Sequence, residues 1–199
     1  MKRIITTLST LIALALPFGA SAATWTVDPD HSNLGFRVKH LMISYVNGNF
    51  GKYTGTFALN DKDITKSKVE FTIDANSINT NVAKRDEHLR TADFFDVAQF
   101  PTITFISKKV AEVGKDTLQV TGDLTLRGIT REVTLTFEGL SKEIKDPWGN
   151  IRKGATASAK LNRMDFGLAW NKPLETGGVL ICEEVLINLD IEMIKAKDA

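Results

Sequence analysis

Three histidines, one cysteine and one short charged segment are where this chain could keep catalytic chemistry. Imidazole titrates near neutral pH, so His31, His40 and His88 are its natural acid–base groups. No two of them stand at HxH or HExxH spacing, and Cys182 alone cannot complete a zinc site. His31 and Ser32 are adjacent, but neighbours on an extended strand point to opposite faces, which argues against a Ser–His nucleophile pair. Arg85, Asp86 and His88 fall within one helical turn, where an exposed ion-pair set is the ordinary arrangement. There is no GxSxG elbow, no phosphate-cradling loop and no dinucleotide fingerprint. The local motifs therefore indicate no catalytic residue, no metal and no cofactor. A site assembled from distant histidines leaves no local trace and stays open as an alternative.

The elements that would have to position such groups are strands. In Val133-Thr134-Leu135-Thr136-Phe137-Glu138 apolar and polar side chains alternate with period two. Val185, Ile187, Leu189, Ile191 and Met193 do the same against Glu184, Asn188, Asp190 and Glu192. Each such run has one dry face and one wet face. The expected strands are 24–28, 33–40, 48–59, 68–74, 102–113, 117–126, 132–139, 154–161 and 184–193. Turn signals separate them at Asn47-Gly48, Asn60-Asp61, Gly114-Lys115-Asp116, Arg127-Gly128 and Asp146–Asn150, so antiparallel pairing is the default. Many such strands in one chain of this size make a closed all-β barrel or a sandwich.

One stretch departs from the pattern. Ser77–Asn81 is rich in helix-capping residues, and Val82–Arg90 reads as about two helical turns that could cover one end of a barrel. The dry rows are Leu34, Phe36, Val38 and His40; Val69, Phe71 and Ile73; Ile103 and Phe105; Leu124 and Leu126. A slip of one residue would put each row in water, so the phase is well constrained. His40 ends an otherwise apolar row, and a histidine there needs a hydrogen-bond partner or a ligand's polar head.

The N-terminus carries a different signal. Lys2 and Arg3 precede the apolar stretch 4–16, Pro17 breaks it, and Ala20-Ser21-Ala22 supplies a small-residue cleavage pattern. Residues 1–22 are read as a cleavable signal peptide for export, with the periplasm as the expected destination and full secretion as the alternative, and 23–199 as one domain. A span needs about 20 apolar residues; the stretch 4–16 falls short of that, and no later segment reaches it. Cleavage removes two of 25 basic residues and none of 24 acidic ones, turning the formal +1 into −1. Such a balance, without basic clusters, gives no electrostatic footprint for nucleic acid or an anionic membrane. A lone cysteine allows no internal disulfide, so the core must carry stability. Within Val179-Leu180-Ile181-Cys182 the thiol reads as buried and inert.

The order of several segments resembles the YceI-like family of exported, lipocalin-like polyisoprenoid-binding proteins. The matching runs are Trp25–Ser32, Phe36–Leu41 leading to Val46–Phe50, Arg85–Asp96, Phe100–Phe105, Gly122–Thr130 and Arg163–Leu168. The resemblance implies an extended antiparallel barrel of about eight strands with a long apolar pocket, a polyisoprenoid or similar amphiphile inside it, and a homodimer. It attaches no catalytic residue to these motifs. Cys182 stands where a small residue is expected.

Such a pocket should be a tunnel lined by Phe, Leu, Ile and Val with few polar anchors. The expected ligand-binding residues are Phe36, Val38, His40, Phe71, Ile73, Phe105, Leu124, Leu126, Leu135, Phe137 and Phe166. The head group would lie near His40 or the Arg85–His88 segment. Two other readings share the same rows: a structural or stress-response module with a filled barrel, and an isoprenoid-modifying enzyme using His31, His40 or His88.

Overall fold

The computed structural model describes residues 22–175 and 177–197. All but the last residue of the expected signal segment 1–22 lies outside the described residues. The elements are β1 (Ala23–Val27), β2 (Asn33–His40), β3 (Ser44–Phe50), β4 (Tyr53–Leu59), β5 (Lys68–Asp74), β6 (Ile78–Asn79), α1 (Ala83–Arg90), β7 (Thr102–Gly114), β8 (Thr117–Leu126), β9 (Ile129–Glu138), β10 (Ile144–Lys145), β11 (Ile151–Asn162) and β12 (Ile181–Lys195).

β12 is the seam that closes the sheet. One edge pairs with β11 from Arg152↔Ile194 to Asn162↔Glu184. Its other edge is shared: β2 takes the first part, from Ile181↔His40 to Asp190↔Asn33, and β1 takes the end, at Met193↔Val27. β1 and β2 thus act as one long strand bent at residues 28–32. Their partners repeat the device, with β4 beside β1 and β3 beside β2, and a break at Gly51-Lys52. The ring β12–β1–β4–β5–β7–β8–β9–β11 closes an eight-stranded antiparallel barrel, and β2, β3 and β6 extend its wall at one end. Closure leaves the ring without an edge strand.

The two ends differ. Around Trp25, Phe57, Leu59, Val69, Val110, Val120, Phe137, Ala155 and Met193 the interior is filled by side chains. Phe57 stands edge-on to Phe71 at 5.6 Å and to Phe137 at 6.1 Å. At roughly 1.5–3 kcal/mol for each large apolar side chain buried, this half supplies much of the stability. Toward the other end the wall continues but the filling stops.

Three expectations need correction. The strand expected over 48–59 is two strands. Asn47-Gly48 is not a turn; it lies inside β3, paired with Arg37 and Phe36. Its glycine answers a packing need, because a Cβ there would sit 2.4 Å from the Phe36 ring. The hairpin turn falls instead at Leu41–Ile43. His31 and Ser32 precede β2 and do not form a strand pair. His31 Nδ1 lies 2.8 Å from Asp28 Oδ2, while the Ser32 hydroxyl donates to Glu192 O and accepts from Glu192 N. The conclusion that no Ser–His pair forms there survives on different geometry.

Candidate ligand-binding site

The unfilled half of the barrel is an apolar cavity in two joined compartments. The outer one has about 300 Å³ and the inner one about 110 Å³; they share Phe36, Phe50, Leu126, Leu161 and Ile187. Binding sites for small molecules run from about 300 to 1,000 Å³, and a dry cavity of about 150 Å³ already holds benzene. The inner compartment is walled by Leu34, Phe71, Ile73, Ile103, Phe105, Leu124, Val133, Leu135 and Leu189. These are the period-two rows of β2, β5, β7, β8, β9 and β12, so strand phase alone delivers them to the interior.

Of the expected site residues, Phe36, Val38, His40, Leu126 and Phe166 line the outer compartment. Phe71, Ile73, Phe105, Leu124 and Leu135 line the inner one. Phe137 lines neither. It sits beyond Phe57 beside a void of about 30 Å³, on the filled side. The alternation of β9 put it correctly inward, but depth along the barrel is invisible to a period of two.

The mouth is built from segments outside the regular strands. α1 contributes Arg85, His88 and Leu89, and the turns after it add Phe94 and Phe95. Asp86 is buried in the first turn of α1 and accepts from Thr80 N at 2.9 Å and from the Thr80 hydroxyl. Arg85 Nε donates to the same hydroxyl at 2.7 Å and Nη2 to Thr80 O at 2.8 Å. Thr80 thereby pins the helix across the opening. The His88 ring meets Phe94 and Trp170 edge-on at 5.0 Å each, and its Nε2 lies 2.8 Å from Asp93 Oδ2.

Arg163 fixes the opposite rim. It is 6 % exposed, and its guanidinium donates to the carbonyls of Leu168, Trp170, Ile181 and Cys182. Burial pushes its pKa down, with the charge of Glu183 opposing that shift. The loop bearing Trp170 is thus stapled to the start of β12. Sequence periodicity could not find Arg163, Trp170, Leu168 or Leu180, because no repeat phases a loop. The run Arg163–Leu168 stood out only through the family resemblance.

The histidines do not converge. His40 and His88 both line the mouth, whereas His31 lies beside Glu192, some ten residues along β12. At about 3.3 Å per residue that is roughly 30 Å away. Asp28, His31 and Glu192 offer ligand atoms within 4.8 Å of one another. Arg152 already occupies this cluster, with Nη1 2.5 Å from Asp28 and 2.6 Å from Glu192, and Nε 2.8 Å from Asp146. A guanidinium stands where a metal ion would have to sit.

Cys182, the second residue of β12, is half-buried, not fully buried as expected. No described helix is long and apolar enough to cross a membrane.

The family model described as YceI-like domain matches residues 25–193. A relative named UPF0312 protein from Vibrio campbellii is 39% identical over 168 residues, covering 83% of this chain and 88% of its own. A UPF0312 protein from Shewanella denitrificans is also 39% identical, over 158 residues, with coverage of 78% and 82%. Among solved structures, a YCEI protein of Campylobacter jejuni superposes with a TM-score of 0.67 at 26% identity, covering 97% of this chain and all of that one. BcnA of Burkholderia cenocepacia gives a TM-score of 0.73 at 20% identity, covering 83% and 98%. A polyisoprenoid binding domain from Saccharophagus degradans gives 0.62 at 18% identity, covering 88% and 99%. The last two are likenesses of fold.

Proposed function

The chain belongs to the YceI-like family, and on that premise we propose that it is a non-catalytic periplasmic carrier holding one long-chain amphiphile in the barrel. The ligand class is a polyisoprenoid, either a polyprenyl lipid or a quinone-like molecule, with its tail along the inner compartment and its head at the mouth. The observation that carries this reading is the two-compartment apolar cavity, open at the end where α1 and the Trp170 loop meet. A tail without charge offers nothing to recognise except surface, and an aromatic and aliphatic wall shields it from water. Lys39, His40, Arg85 and His88 stand at the mouth, where an oxygen-bearing head can accept hydrogen bonds. The fold of the Saccharophagus domain, named for polyisoprenoid binding, supports the choice of ligand. The N-terminal signal pattern supports export. A homodimer is part of the proposal on the same family grounds.

The filled-barrel reading has the open volume against it. The enzymatic reading must work without His31, which lies far from the cavity. Leu126 borders both compartments, so Leu126→Trp should obstruct the passage between them. Titration with a fluorescent polyprenol should give affinity at least about tenfold weaker for this variant, since even one or two lost methylene contacts are worth about that much. Equal affinity in both proteins would place the ligand outside the cavity and overturn the reading.

A further inference from the structure

The β2–β3 hairpin ends in residues that suit neither their backbone nor their exposure. Leu41 and Met42, the central residues of the turn, have φ of 50° and 63°, and Ile43 N donates to His40 O at 3.1 Å. Left-handed backbone at both central positions of a hairpin turn is the conformation that Asn and Gly adopt at little cost and long side chains do not. Met42 and its apolar neighbours face water. Met42 is 52%, Ile43 81% and Tyr45 47% exposed. Single exposed apolar residues are ordinary, but three within four positions on a projecting tip form a patch. Backbone strain and apolar exposure at one spot point to a function that selects for them.

The tip belongs to the cavity mouth. His40 lines the outer compartment, and Leu41 N donates to O of Leu180, another lining residue, at 2.9 Å. Its charge is one-sided as well. From His31 to Asn60 there is no Asp or Glu. Arg37 and Lys39 lie over the Tyr45 ring at 4.9 and 6.0 Å. The loop across the mouth adds Lys172 and Glu175, and Glu184 on the adjoining strand pairs with Lys160 at 3.6 Å.

We propose that this hairpin tip docks the protein on an anionic phospholipid surface. Met42 and Ile43 enter the interface, Tyr45 lies at headgroup depth, and Arg37 and Lys39 meet phosphates, the arrangement of interfacial anchors generally. Docking there sets the mouth against the membrane, so an apolar ligand passes between bilayer and barrel without crossing water. A protein partner would also cover an apolar patch, but an acid-free hairpin whose apolar tip is flanked by Arg37 and Lys39 matches a phosphate-bearing surface. The purpose of docking rests on the carrier reading; the docking itself does not.

The test is co-sedimentation of the purified protein with vesicles of phosphatidylethanolamine and phosphatidylglycerol, 3:1 by weight. Binding should weaken with salt and be much weaker on phosphatidylcholine vesicles. Met42→Gly with Ile43→Ser should lower vesicle affinity about tenfold or more, from the lost apolar insertion, without lowering the melting temperature. Trp148→Ser is the control: Trp148 is 80% exposed but sits by the β10–β11 turn at the far end of the barrel, so binding should not change. The proposal is overturned if the unaltered protein ignores the anionic vesicles or if the tip variant binds them equally. It is also overturned if the variant's only defect is loss of a dimer seen by sedimentation without vesicles. Loading a polyprenol from a cyclodextrin complex separates the two readings. Uptake without vesicle binding defeats docking alone; vesicle binding without uptake defeats the carrier alone.

Discussion

At the residue scale, Arg152 and the phenylalanines of the cavity floor do most to set what this protein tolerates. Arg152 joins the β1–β2 bend, the turn before β11 and β12 through Asp28, Asp146 and Glu192. Burial pushes the Asp28 carboxyl up, but hydrogen bonds from Arg152 and His31 outweigh it and leave it below its usual value. Asp146 is held well below the carboxylate range, chiefly by Arg152. Carboxyls with depressed folded values contribute stability above about pH 4, the unfolded value, and lose it as pH falls through the folded one. His31 is raised by its bond to Asp28. Its contribution is therefore present below about pH 6.5 and is lost as pH rises through the raised value. Melting temperature should fall below pH 4 and decline slightly from pH 6 to pH 8. Arg152→Met should lower it at neutral pH and flatten the acid limb, and an unchanged acid limb in that variant would refute this role. Phe137→Ala should cost about 3–5 kcal/mol, measured by urea denaturation. It should also deepen the cavity past Phe57, shifting preference toward longer chains. His40 was legible as the polar end of an apolar row. Arg163 was not, because its partners are carbonyls of a loop and of the start of β12 that no sequence pattern brings together.

Elements were easier to read than their joints. The strands at 33–40, 68–74 and 117–126 end at the residues expected from alternation alone, since one face of each is buried and a slip would be costly. The helix expected over 82–90 forms as α1 and does stand over one end. The exchange of turn and strand around residues 41–48 is more instructive. Asn-Gly is the strongest short hairpin signal, yet here it lies within β3, where Gly48 leaves room for the Phe36 ring, while Leu-Met makes the turn. A local rule failed because tertiary contact governs one position and, in our proposal, a membrane governs the other. Gly48→Val should push Phe36 aside and cost about 1–3 kcal/mol as overpacking. Polyprenol affinity should fall with it, measured by the same fluorescence titration. If the hairpin docks as proposed, whole-chain charge is a poor guide too, because a near-neutral total hides an acid-free hairpin.

At the scale of the molecule, an all-β barrel or sandwich with a dry interior was readable from many amphipathic strands, and the choice of barrel, with the family, from ordered motifs spread along the chain. What could not be read was how far the filling extends. A packed core and an open tunnel present the same alternating rows. They differ only in side-chain size layer by layer, which depends on the tilt and stagger of closure. In the structure the rows of β2, β5, β7 and β8 face open space at one end, whereas the Phe57–Phe137 contact closes off the other. The central claim is that this space holds one apolar amphiphile. Native mass spectrometry of the protein purified from its host without detergent tests it most directly. A single adduct per chain, released on organic extraction as a polyisoprenoid, is the expected result. Repeated recovery of folded, empty protein that also takes up no polyprenyl lipid would contradict it.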